Sequence, residues 1–166
     1  MDMLKELLIL IGIVMLPFIE LRLAIPVGIL SGTMYLPYGI HMSGLGLEPL
    51  LVFFTAVLSN IFLGFIVFNF LTIFDKRLRN TRISKYYVRL LERSRKKVHR
   101  QVEKYGILGL AVFIGLPIPG SGIYSGSLAA FVLGFSKRNF YIANFIGVTL
   151  AGIIVTILTL IGNSLF

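Results

Sequence analysis

Apolar residues dominate four stretches, at 7–30, 50–74, 107–135 and 140–160, and the stretches differ in how polar residues interrupt them. The second and fourth carry no charge, and each is long enough to cross a hydrocarbon core of about 30 Å as one helix. The first and third are punctuated. Pro17, Glu20, Arg22 and Pro26 fall inside the first; Pro117, Pro119 and the turn Gly120, Ser121, Gly122 fall inside the third. Proline removes a backbone donor and disfavours the helical conformation one residue before it, so both stretches are expected to be broken helices. Paired interruptions of this kind in two halves of a membrane chain point to a transport site near the bilayer midplane.

The expected architecture is an all-α integral membrane protein forming a single membrane domain over 1–166. It is an inverted repeat of two re-entrant (broken) helical hairpins and two long transmembrane helices, joined by a basic amphipathic surface helix. Residues 1–75 form the first half, 76–104 the linker and 105–166 the second half. Leu16 and Pro17 match Leu116 and Pro117 in register, and Asn60 and Asn144 sit near the start of the two uninterrupted spans. In the linker, Tyr87, Leu91, Val98 and Val102 share a stripe while Arg89, Arg93, Lys96, Lys97 and Arg100 lie elsewhere, the pattern of a helix lying on a membrane surface.

Composition removes the soluble alternative: 57% of residues are hydrophobic, 14% are charged and the mean hydropathy is +0.91. Charge sets an orientation. Twelve of the sixteen Lys and Arg residues lie between Lys76 and Lys104, and short basic loops stay on the cytoplasmic side. Topology and attraction to anionic headgroups account for these charges, so nucleic acid is not an expected partner. The absence of cysteine excludes disulfides and thiolate chemistry. His41 and His99 lie in unlike segments, and no metal site, cofactor or enzymatic constellation is expected. The N-terminal stretch lacks a basic leader and a small-residue cleavage site, and reads as part of the mature chain.

Glu20 and Arg22 are the charges set well inside an apolar stretch, where an ionised side chain at a helix centre costs roughly 2.5–3.5 kcal/mol on insertion scales. Two residues apart on a helix they point away from each other; in an unwound turn they share a face. Pro17 and Pro26 bracket them and are expected to unwind the segment. One reading is a cavity in which Arg22 attracts an anion and Glu20 exchanges a proton; the other is that both pin the hairpin at the interface. In the second hairpin Ser121 is the expected N-cap of the returning helix, whose free amides form an anion site. Tyr124, Ser125, Asn60 and Asn144 can add hydrogen bonds there. Gly122, Gly126, Ala130 and Gly134 recur every four residues, and Gly147 and Ala151 repeat the spacing, which suits close packing of these helices with each other or with a symmetry mate. So few helices enclose little space, and a homodimer is expected.

Residues 18–28 (FIELRLAIPVG), 116–130 (LPIPGSGIYSGSLAA) and 144–147 (NFIG) together resemble the prokaryotic small multidrug export protein family, which is similar to the DedA superfamily, also called the VTT domain group. The resemblance spans nearly the whole chain. It implies two re-entrant hairpins in a cell-membrane protein related to proton-linked exporters and to proteins that move polyisoprenyl phosphate or phospholipid headgroups. Glu20 and Arg22 match the first motif; Pro117, Pro119, Gly120, Ser121, Gly122 and Tyr124 match the second. DedA proteins proper place an arginine in the second hairpin, and this chain has none between Lys104 and Lys137. The expected function is a small proton-coupled membrane transporter for an anionic or amphiphilic substrate. The alternatives are a lipid flippase or scramblase, and a non-transporting assembly protein that binds membrane lipids or a partner.

Overall fold

A computed structural model describes residues 3–17, 19–36, 40–79, 106–118 and 120–165. Each punctuated stretch becomes two short helices. The first gives α1 (Met3–Val14) and α2 (Glu20–Ile29), with the chain out of the helix at 15–17 and 19, around Pro17. After a connecting ribbon comes the long helix α3 (Pro49–Arg79). The third stretch gives α4 (Gly106–Gly115) and α5 (Ile123–Leu133), unwound around Pro117 and Gly120, and the chain ends in the long helix α6 (Lys137–Leu165).

The two breaks therefore fall at the first proline of each stretch. Pro26, expected to help unwind the first, instead sits inside α2. Its missing N–H leaves the Arg22 carbonyl without the usual partner four residues on, and the helix still continues to Ile29, where the Leu30 amide donates to the Pro26 carbonyl at 2.9 Å.

The all-α expectation fails in one place. Two strands, β1 (Ser31–Leu36) and β2 (Ile40–Leu45), form an antiparallel ribbon, pairing Ser31 with Leu45 and Tyr35 with His41. Thr33, Tyr35 and Ile40 favour extended backbone, and Pro37 and Gly39 between the strands are turn formers. The ribbon is tied to the end of α2 by Gly46 N donating to Leu30 O (3.0 Å) and Leu47 N to Gly28 O (2.8 Å). Gly44 passes so close to the Leu30 carbonyl that a side chain there would collide with it.

α1 folds back beside α2. Leu10, fully buried, reaches Gly28, where a Cβ would also meet Val52 of α3, so three helices converge on one glycine. In the second half Ile114 of α4 fills the space over Gly126 of α5 and over Gly147 of α6. The long helices are antiparallel: Phe68 stacks on Phe140 at 4.2 Å, and further along Gly152 packs against Val57. α2 packs against α6, and α5 packs against α3. The second short helix of each half therefore rests on the long helix of the other.

Among the described residues two helical segments, Pro49–Asp75 and Lys137–Ser164, are long and apolar enough to cross a membrane, with mean hydropathies of 2.5 and 2.4. Their outward faces expose Phe54, Leu58 and Phe62 on α3, and Phe145, Ile153 and Ile157 on α6, a surface suited to lipid. In such a solvent apolar contact between helices is not driven by water, and close packing and polar contacts carry a larger share of the stability.

Candidate functional site

The two breaks meet, and Glu20 and Arg22 join them. Glu20 opens α2 with φ 51, the left-handed region that costs a non-glycine residue about 1–3 kcal/mol. Its side chain is 4% exposed, and both carboxylate oxygens accept from the Ile123 amide at 3.0 Å, while Oε1 also accepts from the Tyr124 amide at 3.4 Å. These amides are the free donors at the start of α5. Its N-cap is Gly122, in a conformation (φ 137) that suits glycine, and a Cβ there would lie 2.6 Å from Glu20 Oε2. A carboxylate from one half thus caps a helix of the other, where the helix dipole favours a negative charge.

Arg22 serves the opposite pole. Its Nη1 donates to the Ile118 carbonyl (2.9 Å) and to the Ser121 carbonyl, and its Nη2 to the Leu116 carbonyl (2.7 Å) and Ser121 Oγ (2.9 Å). The planar guanidinium gathers acceptors that the unwound backbone after α4 leaves without helical partners. A third link runs the other way, as the Tyr124 hydroxyl donates to the Met15 carbonyl at 2.6 Å, just past the end of α1. Glu20 and Arg22 thus engage the amide and the carbonyl side of the same break.

Ser121 is not the N-cap expected of it. The helix starts two residues later, because Ser121 Oγ lies within hydrogen-bonding distance of the Leu116 carbonyl (2.6 Å) and the Ile118 carbonyl (2.9 Å) and turns back into the break. The α5 amides, expected to be open to an external anion, are held by Glu20. Ser125 Oγ lies 3.4 Å from the Gly122 carbonyl, and Gly120 (φ 86) makes the exposed turn. Pro119 lies outside the described residues, as do His99 and the part of the linker, from Tyr87 to Val102, expected to form the surface helix.

The small-residue pattern is used inside the chain. Gly126 and Gly147 both receive Ile114, so α4 lies between the two helices that carry them; Ala130 and Ala151 are buried. Gly134 is exposed and ends α5 in the left-handed conformation (φ 78), with Phe135 N donating back to Ala130 O.

Beside the breaks lies an open cleft of about 570 Å³. Arg22, Pro26 and Leu30 form one wall, Pro117 closes one end, and the last turns of α6, with Thr159 and Asn163, form the other wall. Arg22 is its charged lining residue, in otherwise largely apolar surroundings. The residues of α6 were missed from sequence, although Thr159 and Asn163 share one face of an apolar span, four residues apart. A groove of about 630 Å³ on the outer face of α6, beside Arg138 and Phe145, contains none of the expected site residues.

Asn60 and Asn144 are 1% and 0% exposed. Asn144 Nδ2 donates to the Ile61 carbonyl of α3 at 3.0 Å, and its amide lies against Gly64, where the Ile123 side chain also packs. Neither Asn60 Oδ1 nor Asn144 Oδ1 has a hydrogen-bond partner in the structure. Gly28 of α2 lies against Val52 of α3, and eight residues along each helix bring Glu20 and Asn60 to similar levels.

Long apolar helices, broken short ones and a buried charged junction define a small helical membrane protein. Residues 20–154 match the family model described as "Putative small multi-drug export protein", and the chain belongs to that family. Its description is of an exporter, a transporter-like role. Comparison with curated proteins and with solved structures gives no match.

Proposed function

We propose that this protein is a proton-coupled membrane exporter that binds an anionic or amphiphilic substrate in the cleft beside Arg22. One observation carries the reading: at the junction of two broken helices a guanidinium lines an apolar cleft while a buried carboxylate holds the adjacent helix start. A substrate anion in the cleft competes with the Leu116, Ile118 and Ser121 carbonyls for the Arg22 donors. A proton on Glu20 removes the charge that holds the Ile123 and Tyr124 amides, loosening the same junction from its other side. The breaks act as re-entrant hairpins of an inverted repeat, supported by the reciprocal packing of α2 on α6 and α5 on α3. The basic run over 76–104 supports a cytoplasmic position for that side, in the membrane of a prokaryotic cell.

A structural reading also has an observation in its favour: the backbone contacts of Glu20 and Arg22 are those of a clasp. Reconstituted protein under an imposed pH gradient separates the two, with a fluorescent lipophilic carboxylate as the probe and a headgroup-labelled phospholipid in a parallel arm. Export predicts pH-driven probe movement that Glu20→Gln abolishes while the variant stays folded. Movement of the labelled phospholipid alone supports a flippase, and an unchanged pH response in Glu20→Gln removes its proton role.

A further inference from the structure

From Glu20 to Lys137 polar groups are spaced along the seam between α3, α5 and α6, with the Ile123 side chain between the first of them. The carboxylate binds the Ile123 amide, and the Ile123 side chain meets Asn144 over Gly64. Asn144 and Tyr141 lie three residues apart on one face of α6. The Tyr141 hydroxyl accepts from Asn69 Nδ2 at 2.8 Å, and Asn69 Oδ1 accepts from the exposed Lys137 ammonium at 2.7 Å. Ser127, one turn beyond Ile123 on α5, is completely buried.

Two oxygens on this line have no partner in the structure, Asn144 Oδ1 and Ser127 Oγ, and Asn60 Oδ1 near the level of Glu20 is a third. Their residues are 0%, 0% and 1% exposed. Buried polar atoms of native proteins nearly always have a partner, and where the chain supplies none, internal water commonly does. Polar atoms grouped at membrane depth, beside a buried carboxylate, fit a chain of such waters better than isolated defects. On the opposite side of the junction the cleft beside Arg22 runs along the last turns of α6, away from Lys137.

We propose that this seam is the proton path to Glu20, separate from the substrate cleft. Protons come from bulk water at the Lys137 end, pass along internal waters held by Asn69, Tyr141, Asn144 and Ser127, and bind a Glu20 carboxylate oxygen. Each proton received at one end displaces one at the other, so no bond other than O–H forms or breaks. Phe68 and Phe140, stacked beside Tyr141, keep the path narrow. Among the described residues, the charged or titratable groups beside the carboxylate are Arg22 of the same helix and Tyr124 of α5; those of α1, α3 and α6 lie toward the helix ends. This inference rests on the proton role proposed for Glu20.

Its test is infrared difference spectroscopy of the full-length protein in vesicles after acidification, with the protonated Glu20 band assigned by its loss in Glu20→Gln. Ser127→Ala, which removes a hydroxyl and little volume, and Asn144→Leu are expected to slow the appearance and deuterium shift of that band about tenfold, equivalent to about 1.4 kcal/mol of barrier. Binding of the fluorescent lipophilic carboxylate should be unchanged in Ser127→Ala, which keeps the test valid if Asn144→Leu folds poorly. A band with wild-type kinetics in Ser127→Ala and in every folded seam variant overturns the path alone. No band on acidification overturns the proton role of Glu20 and the path with it.

Discussion

The two breaks solve one problem by different means. The first, around Pro17, is followed closely by Glu20 and Arg22; the second, around Pro117 and Gly120, has no charge and presents backbone amides and carbonyls. Unwound backbone at membrane depth is tolerated only where its polar groups are satisfied by protein or water. Here the first half supplies side chains and the second supplies bare peptide groups for them to hold. Among the described residues the return link between the breaks is slight, a single Tyr124 hydroxyl on Met15. Dependence between the breaks is therefore lopsided, with the second leaning on the first far more than the reverse.

That asymmetry orders the expected effects of substitution. Arg22→Ala strips four donor contacts from the second break and is expected to cost about 3 kcal/mol or more, read as a large fall in melting temperature in detergent; a small change would mean the break is satisfied some other way. Gly122→Ala comes next, at about 2 kcal/mol, because its Cβ presses on the Glu20 carboxylate and the backbone conformation suits glycine. Restored stability in the double variant Gly122→Ala, Glu20→Ala would show that the collision is the cause. Tyr124→Phe removes one hydrogen bond and should cost about 1 kcal/mol, visible as a modest loss of amide protection in α1 by hydrogen exchange. Should Tyr124→Phe prove as damaging as Arg22→Ala, the breaks depend on each other equally and the comparison is wrong. Lys137→Met, at the exposed end of the seam, is expected to shift stability by less than about 1 kcal/mol.

Much of this organisation was legible in the chain. Pro17 and Pro117 mark both breaks because a missing donor is a local fact, and α3 and α6 follow from uninterrupted apolar runs. Glu20 and Arg22 stood out because charge in an apolar stretch demands a partner. Their partners were not legible: an amide of Ile123 and a carbonyl of Leu116 belong to the backbone and leave no mark on composition. Pro26 misled, since α2 tolerates it while the neighbouring contacts hold. The ribbon at 31–45 escaped because its residues are neither strongly alternating nor charged, and Ser121 looked like a cap until its hydroxyl turned toward the break. Thr159 and Asn163 were readable as a polar pair on the last span, but tertiary packing gave them their place beside the cleft.

The two-residue step from Glu20 to Arg22 is what lets one turn of α2 address both ends of an interrupted helix pair. A helix advances about 100° per residue, so a single inserted residue between them, however bland, would swing the guanidinium by that angle relative to the carboxylate. The Glu-Leu-Arg triplet therefore works as a ruler: its length, as much as its charges, is under constraint, and this segment should accept exchanges of residue type at Leu21 far more readily than any change in the number of residues.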